Sequence, residues 1–187
     1  MRIILASASP RRRELLSGLG LQFTVDAQTS FVESVQPGVD ACRVPFDMAI
    51  GKSLGFHREL ERDEVLITAD TVVIIDSEVL GKPCDRPDAI RMLKRLSGRT
   101  HEVVTAVVIR SVSRRVEFSD VTKVTFAQLQ DSDIEYYVDN YRPFDKAGSY
   151  GVQEWIGYVA VSSIEGSFYN VMGFPVQKVW QALKEFP

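Results

Sequence analysis

An apolar, β-type run of eleven residues with one carboxylate at its centre constrains this chain more than any other feature. The run extends from Val65 to Ile75 (VLITADTVVII), and Asp70 lies in its middle. Burial of an ionised carboxylate is costly unless a cation or hydrogen-bond donors compensate for it. We therefore predict a central strand that presents Asp70 and Thr71 to a metal ion or a cationic side chain. The alternative is a structural aspartate that caps a turn where the strand breaks.

The composition is that of an ordinary globular protein and excludes several classes. The chain has 187 residues, of which 45% are hydrophobic and 25% charged, with a net charge of -3. This length suits a single domain, predicted over residues 1–187. The charge argues against a nucleic-acid binder. No run approaches the ~20 apolar residues that a membrane span needs. Cys42 and Cys84 have neither zinc nor disulfide spacing, which is typical of a cytoplasmic protein.

Helical and strand patterns alternate along the whole chain. The pattern predicts strands at 2–6, 21–25, 65–75, 79–80, 101–110, 116–126 and 159–164. It predicts helices at 11–19, 44–56, 87–96, 131–141 and 176–185. Ser9 is the expected N-cap of the first helix, with Pro10 after it, and Asp131 or Ser132 caps the fourth. Intermingled strands and helices indicate an α/β fold, and hairpin-like strand pairs indicate a mixed sheet.

The segment SASPRRRELL, residues 7–16, has the features of an anion site. A strand, a small-residue loop and a helix N-terminus would expose free N–H groups, to which arginines add bidentate donors. We predict phosphate contacts from Ser7, Ser9, Arg11 and Arg12. The segment has no glycine and is not a Walker loop. The alternative is a basic first turn on a solvated helix, where arginines are poorly placed against the helix dipole.

Four charged residues suit metal-assisted phosphoryl or nucleotidyl transfer: Glu33, Lys52, Asp70 and Lys82. The two carboxylates would hold Mg²⁺ or Mn²⁺, and one can deprotonate the attacking water. The two lysines would neutralise charge on the phosphates. Taken singly, Glu33 is equally an ordinary loop acid and Lys52 an ordinary solvated helix lysine.

The segment FDKAGSYGVQ, residues 144–153, combines a charged pair with two glycines. We predict a flexible loop that closes over a ligand, with Asp145 and Lys146 near its start. Gln153 at its end could pair with a base edge through its amide donor and acceptor. The alternative is a glycine-containing turn with an exposed ion pair.

Several co-linear motifs together resemble the Maf family of nucleoside triphosphate pyrophosphatases. They are LASASPRRRELL, ADTVV, GKP, LSGRTHEVVTAV, FDKAGSYGVQ and YNVMGFPV, and they span nearly the whole chain. The resemblance implies an α/β fold similar to the inosine-triphosphate pyrophosphatases, with an elongated mixed sheet, flanking helices and a central cleft. It also implies metal-dependent cleavage of a nucleotide between its α and β phosphates, in a homodimer.

The resemblance assigns roles to individual positions. Asp70 falls on the catalytic aspartate, which activates water as a proton acceptor. Positions that line the phosphate and metal region are Glu33, Lys52 and Lys82. Positions associated with substrate choice are Arg12, Thr71 and Gln153.

Within the family, this chain resembles the branch that acts on dTTP and UTP. Arginine follows Ser9-Pro10, where tryptophan is expected in the 7-methyl-GTP branch. Gln153 can match the O4/N3–H face that thymine and uracil share, and the 5-methyl contact is worth only ~1 kcal/mol. Modified pyrimidine nucleotides are a further expected substrate class. The alternatives are a 7-methyl-GTP or non-standard purine pyrophosphatase and a nucleotide-binding regulator of cell division.

Overall fold

A computed structural model of the chain describes residues 1–34 and 38–186. The strands are β1 Arg2–Leu5, β2 Phe23–Val25, β3 Glu64–Ile75, β4 Glu78–Leu80, β5 Thr100–Arg110, β6 Arg115–Phe126 and β7 Val161–Glu165. The α-helices are α1 Pro10–Ser17, α2 Val44–Leu54, α3 Arg86–Leu96, α4 Asp131–Tyr141, α5 Trp155–Ala160, α6 Phe168–Val171 and α7 Val176–Leu183. A short 3-10 turn covers Ala147–Ser149. Among the described residues, no helix is both long and apolar enough to span a bilayer.

The strands form one mixed sheet, as the sequence predicts. Its order is β2-β1-β3-β5-β6-β7, and β4 pairs with β3 at one side of this path. Strand β1 lies parallel to both β2 and β3, so that Leu5 is level with Val25 on one side and Ile67 on the other. The pairs β3–β4 and β6–β7 are antiparallel. Parallel neighbours on both sides of β1 agree with its nearly continuous apolar sequence.

The chain divides into two compact units. The first, called unit 1 below, comprises Met1–Asp70, Thr105–Asp120 and Gly173–Pro187. In it, α2 packs on β5 through Ala49, which contacts Ala106 and Val108. The small alanine side chains allow the helix to approach the strand closely. The hydroxyl of Thr68 in β3 donates to the carbonyl of Ala49 at 2.8 Å, so α2 is also bonded to β3.

The second unit, called unit 2 below, comprises Thr71–Val104 and Val121–Met172. Helices α3 and α4 pack on each other within it. An aromatic cluster of His101, Phe126 and Tyr150 adds to its core, with ring centroids 4.9–5.4 Å apart in edge-to-face arrangements. The single-domain organisation stays a prediction.

The structure confirms one predicted helix cap and corrects another. Ser9 is the N-cap of α1, and its hydroxyl accepts from the Arg12 amide at 3.4 Å. Helix α4 begins at Asp131, but its N-cap is Gln130 and not Asp131 or Ser132. Gln130 and Asp133 form a capping box, in which the Asp133 carboxylate accepts from the Gln130 amide at 3.2 Å. An acidic residue at the third helical position favours this choice of cap.

The predicted strand at 159–164 is wrong at its start. Residues Trp155–Ala160 form α5, and β7 begins only at Val161. The Gly157 amide donates to the Glu154 carbonyl at 2.9 Å and opens the helical turn. The apolar residues before Val161 therefore belong to a short helix that buries only Ile156 and Ala160, and period-2 reasoning cannot separate so short a helix from a strand.

Candidate functional site

Asp70 lies where strand β3 opens to its surroundings. Of the twelve residues of β3, only Asp70 and Thr71 are not buried. The side chain of Asp70 is 16% exposed. An ionised group in an otherwise buried strand needs a compensating cation. The strand thus confirms the predicted setting of Asp70 and leaves its carboxylate accessible for chemistry.

The compensating cation is Lys52. Its ammonium nitrogen Nζ lies 2.6 Å from Oδ1 of Asp70 and 2.8 Å from Oε1 of Glu33. Lys52 is in the last turn of α2, and its side chain is 17% exposed, whereas that of Glu33 is 58% exposed. Three of the four predicted charged residues therefore meet in unit 1 around one ammonium group.

Gly51 in α2 and Gly55, which follows the last residue of the helix, explain how Glu33 reaches Lys52. A Cβ atom on Gly51 would lie 2.2 Å from Cε2 of Phe31, and one on Gly55 would lie 2.8 Å from the Phe31 amide nitrogen. The segment that precedes Glu33 therefore lies directly on the helix. The Ser30 amide fixes it further by donating to the Gly55 carbonyl at 2.8 Å. Sequence reasoning missed this role, although a glycine inside a helical pattern is a known sign of close packing.

The end of α2 is held by Arg110, which sequence reasoning also missed. The guanidinium donates to the Ser53 carbonyl at 2.9 Å and to its hydroxyl at 3.0 Å. Burial, with repulsion from Arg115, lowers the pKa of Arg110. A cation at the last carbonyls of a helix satisfies orphan acceptors and fixes the turn that carries Lys52.

Arg12 connects the start of α1 to the strand that carries Asp70. Its guanidinium donates to the carbonyl of Ala69 at 2.8 Å, to that of Gly173 at 2.9 Å and to the Ser7 hydroxyl at 3.3 Å. Burial lowers the pKa of Arg12, while the charge of Asp70 opposes that shift. Arg12 therefore interacts electrostatically with the Asp70 carboxylate. Its hydrogen bond to the Ala69 carbonyl also ties α1 to β3, whether or not the guanidinium contacts a phosphate.

The remaining residues of the predicted anion site lie on the same loop and helix start. The Ser7 hydroxyl, which is buried, accepts from the Ser9 amide at 3.3 Å. Arg11 is half-buried in the first turn of α1. The loop is thus shaped by its serines, and their phosphate contacts stay predictions.

Unit 2 holds the other predicted residues. Lys82 is exposed in the segment after β4, where the neighbouring Gly81 carbonyl accepts from the Gly148 amide at 3.0 Å. Gln153 is half-buried, and its Oε1 is a buried atom with no hydrogen-bond partner in the part of the chain described. A buried acceptor without a donor is unusual in a finished fold. It suits a ligand that brings an N–H group.

The segment from Asp145 to Gln153 differs from the prediction in how much of it is buried. We predict a flexible loop that closes over a ligand, with a turn that carries an exposed ion pair as the alternative, but residues 148–152 are buried and only Asp145 of the pair is exposed. A Cβ on Gly148 would lie 2.8 Å from Cγ2 of Val73, so the backbone packs directly on β3. The side chain of Lys146 is 9% exposed, and its Nζ lies 2.8 Å from Oδ1 of Asp145 and 3.1 Å from Oε1 of Glu154. The glycines allow close packing here instead of mobility.

The site contains too few ligands for a preformed metal centre of its own. Among residues 1–34 and 38–186, no group of three or more His, Cys, Asp or Glu side chains could hold a metal ion. Mg²⁺, however, usually binds through one or two carboxylates together with substrate phosphates and water. The pair Glu33 and Asp70 supplies such hard oxygen ligands, and therefore fits a cation that arrives with a nucleotide.

The chain thus has a mixed α/β fold, with a cluster of Glu33, Lys52 and Asp70 in unit 1. The Ham1 protein of Staphylococcus aureus has a similar fold, with a TM-score of 0.54 at 14% sequence identity, over 99% of this chain and 98% of that one. The family model described as Maf-like protein matches residues 2–186. The chain therefore belongs to the Maf family.

Two curated relatives agree with this assignment. A protein of Porphyromonas gingivalis strain W83, named dTTP/UTP pyrophosphatase, is 51% identical over 187 residues, which cover 99% of this chain and 94% of that protein. A protein of the same name from Phocaeicola vulgatus is 48% identical over 184 residues, covering 98% of this chain and 95% of the relative.

Proposed function

We propose that this protein is a metal-dependent pyrophosphatase that hydrolyses dTTP and UTP to the monophosphate and pyrophosphate. Modified pyrimidine nucleotides are included in the proposed range. The single observation that carries the proposal is the half-buried Asp70, held 2.6 Å from the Lys52 ammonium in an otherwise buried strand. The names of the curated relatives support the same substrates.

Asp70 is the proposed general base. Its carboxylate would accept a proton from a water molecule as that water attacks the α-phosphorus. The bond between this phosphorus and the α–β bridging oxygen then breaks, and pyrophosphate leaves with the electron pair. The neighbouring Lys52 ammonium lies 2.6 Å from Oδ1 of Asp70 and would orient the carboxylate for that step.

Cationic side chains are proposed to bind and orient the phosphates. Arg11, Arg12 and Lys82 would donate to phosphate oxygens, helped by the hydroxyls of Ser7 and Ser9 at the start of α1. Such donors neutralise the charge that moves onto the leaving oxygens. Glu33 and Asp70 would hold Mg²⁺ or Mn²⁺, which, when bound, supplies electrostatic stabilisation of the phosphate oxygens.

Base choice is assigned to Gln153, with Thr71 and Arg12 as further contributors. The buried Oε1 of Gln153 lacks a protein donor among the described residues. Uracil and thymine both present an N3–H donor next to an O4 acceptor, which an amide can match with two bonds. This shared face explains why one site would accept both bases.

The test is release of pyrophosphate from dTTP, UTP, CTP, GTP and 7-methyl-GTP, with Mg²⁺, with Mn²⁺ and with a chelator. Metal-dependent release from dTTP and UTP is the expected result. Release from 7-methyl-GTP alone would keep the reaction and overturn the assigned bases. Binding of nucleotide without any release would favour a regulator of cell division.

We also propose that the protein is a homodimer in the cytoplasm, without a nucleic-acid or membrane partner. Unit 2 exposes large aromatic side chains, among them Tyr158 at 84% and Tyr169 at 49% exposure. Exposed aromatic residues are typical of protein–protein contacts. Light scattering coupled to size exclusion measures the mass directly, and a monomer at micromolar concentration would contradict the dimer.

A further inference from the structure

The turn that carries Gln153 is closed on itself. The Glu154 amide donates to the Gly151 carbonyl at 2.9 Å, so that Val152 and Gln153 are the two central residues of the turn. Helix α5 begins directly after it, at Trp155. The backbone of Gln153 is therefore fixed by the residues on either side of the turn.

A single buried hydroxyl joins the two ends of this turn. Tyr137 is fully buried in α4, and its hydroxyl accepts from the Gly151 amide at 3.0 Å. The same hydroxyl donates to Oε2 of Glu154. Burial, together with the hydrogen bond to the Glu154 carboxylate, raises the pKa of Tyr137, so the hydroxyl stays a donor at all working pH values.

Glu154 is the residue on which these contacts converge. Its Oε1 lies 3.1 Å from the Lys146 ammonium, which brings the start of the segment to the same carboxylate. A Cβ on Gly151 would lie 2.9 Å from the Glu154 carboxyl carbon and 3.1 Å from Cε of Lys146. The glycine thus leaves space for the carboxylate and the ammonium to meet beside the turn.

The side-chain oxygen of Gln153 is not held in place by a hydrogen bond from the described residues. This atom, Oε1, is buried and has no hydrogen-bond partner within residues 1–34 and 38–186. The position of this oxygen therefore depends on the backbone turn and on what surrounds it. Fixing the turn fixes where the amide can present its acceptor and its donor.

We infer that Glu154 is a positioning residue that acts through Gln153 and sets the choice between uracil-type and cytosine-type bases. The inference rests on the proposed function. With the turn held, the Gln153 amide offers its oxygen to an N3–H donor and its nitrogen to an O4 acceptor. Cytosine has the opposite arrangement, with an acceptor at N3 and an amino donor at C4. A loosened turn would move the amide away from the position where it can make both bonds, so that uracil-type bases lose their advantage over cytosine.

The experiment compares kcat and KM for UTP, dTTP and CTP in the wild-type protein and in Glu154→Ala, Glu154→Gln and Tyr137→Phe. Glu154→Ala is expected to lower the UTP-to-CTP ratio of kcat/KM about 10-fold, mainly through KM. Tyr137→Phe should lower the ratio in the same direction. Glu154→Gln keeps an acceptor for the Tyr137 hydroxyl and should hold the ratio within about 3-fold of wild type.

A matched control lies on α4, the helix that carries Tyr137. Asp139→Asn breaks the exposed pair between Asp139 and Arg86, whose closest atoms are 2.6 Å apart, without reaching the turn. It is expected to leave the UTP-to-CTP ratio unchanged. Thermal unfolding of every variant shows which of them are folded, and Tyr137→Phe carries the test if Glu154→Ala does not fold.

The outcomes separate the inference from the proposed function. An unchanged ratio in folded Glu154→Ala and Tyr137→Phe, with a selective wild type, overturns the positioning role alone. An equal loss on all three nucleotides also overturns it, because a merely structural residue would act in that way. A wild-type protein that hydrolyses none of them overturns the proposed function and the inference with it.

Discussion

Two clusters, one in each compact unit, have the same outline but different surroundings. In each, one lysine ammonium bridges a partly buried carboxylate and an exposed one: Lys52 with Asp70 and Glu33, and Lys146 with Glu154 and Asp145. The partly buried partners, Asp70 and Glu154, are 16% and 21% exposed. Charge and burial alone therefore do not distinguish a candidate catalytic group from a structural one.

The surroundings make the distinction. Glu154 also accepts from the Tyr137 hydroxyl, and its own backbone closes a turn. Its carboxylate is thus used to hold the chain in place. Asp70 occupies an opening in a strand that is otherwise buried, and its neighbours Lys52 and Arg12 are cations suited to phosphates. This difference is the reason why we propose Asp70 as the reacting carboxylate and Glu154 as a positioning residue.

The largest expected difference between the two clusters appears when the partly buried carboxylate of each is replaced by its amide. Asp70→Asn should lower kcat for UTP about 10³-fold with little change in nucleotide affinity, because the proton acceptor is lost. Glu154→Gln should change kcat by less than about 3-fold. Pyrophosphate release and equilibrium binding of UTP measure both quantities. Near-normal turnover in Asp70→Asn would remove Asp70 from the chemistry.

The next effect separates the two lysines. Lys52→Met should lower kcat/KM about 10²-fold, because Asp70 and Glu33 lose the ammonium that compensates them. Lys146→Met should mainly reduce the free energy of unfolding, by about 2 kcal/mol, because its removal leaves Glu154 without a cation. Steady-state kinetics and urea unfolding of both variants give the comparison. A similar loss of activity in the two variants would contradict the division of roles.

In the first cluster, Asp70 could be predicted from the sequence because its signal is local, whereas the meeting of Glu33 and Lys52 with it could not. A carboxylate inside an apolar run is visible without a structure, and Asp70 was found in this way. The mixed sheet followed from the alternation of strand and helix patterns. The N-cap at Ser9 followed from the short motif Ser-Pro, which has a direct physical meaning.

The second cluster could not be predicted, since it depends on contacts between distant segments. Tyr137 is an ordinary apolar position of a helix until Glu154 and Gly151 are brought beside it. In unit 1, Glu33 reaches Lys52 only because Gly51 lets Phe31 lie on the helix. Such close approaches leave no periodic pattern in the sequence.

A pH-dependent effect on stability is expected in unit 2. Burial lowers the pKa of His101 to about 4 from its ordinary value of 6.5, and its Nε2 lies 2.7 Å from the Tyr150 hydroxyl. Between these two pKa values the unfolded chain binds a proton at His101 and the native protein does not. The stability that is present above the unfolded pKa of 6.5 is therefore lost as the pH falls towards 4. The loss should be about 2 kcal/mol between about pH 8 and about pH 5.

Urea unfolding at both pH values measures this loss, with a variant to isolate its source. His101→Gln should flatten the pH dependence by about the same 2 kcal/mol. The chain has two histidines, so His57→Gln, which alters an exposed pair with Asp26, is the matched control. An equal pH dependence in wild type and His101→Gln would show that His101 does not cause it.

The smallest expected effect tests the glycines that let each cluster form. Gly51→Ala places a methyl group against the Phe31 ring, since a Cβ there would be 2.4 Å from Cζ. The shift of Phe31 should draw Glu33 away from Lys52 and lower kcat/KM about 10-fold, while the better helix propensity of alanine offsets the loss of stability. Kinetics and thermal unfolding of the variant measure both.

The counterpart in unit 2 is Gly151→Ala, which crowds Glu154 and Lys146 instead. Here the UTP-to-CTP ratio of kcat/KM is expected to fall about 3-fold, with kcat for UTP nearly unchanged. Because a Cβ on Gly51 would meet Phe31 and one on Gly151 would meet Glu154 and Lys146, the first variant should mainly lose activity and the second should mainly lose base selectivity. A drop in turnover for Gly151→Ala as large as that for Gly51→Ala would contradict the proposed division of roles between Asp70 and Glu154.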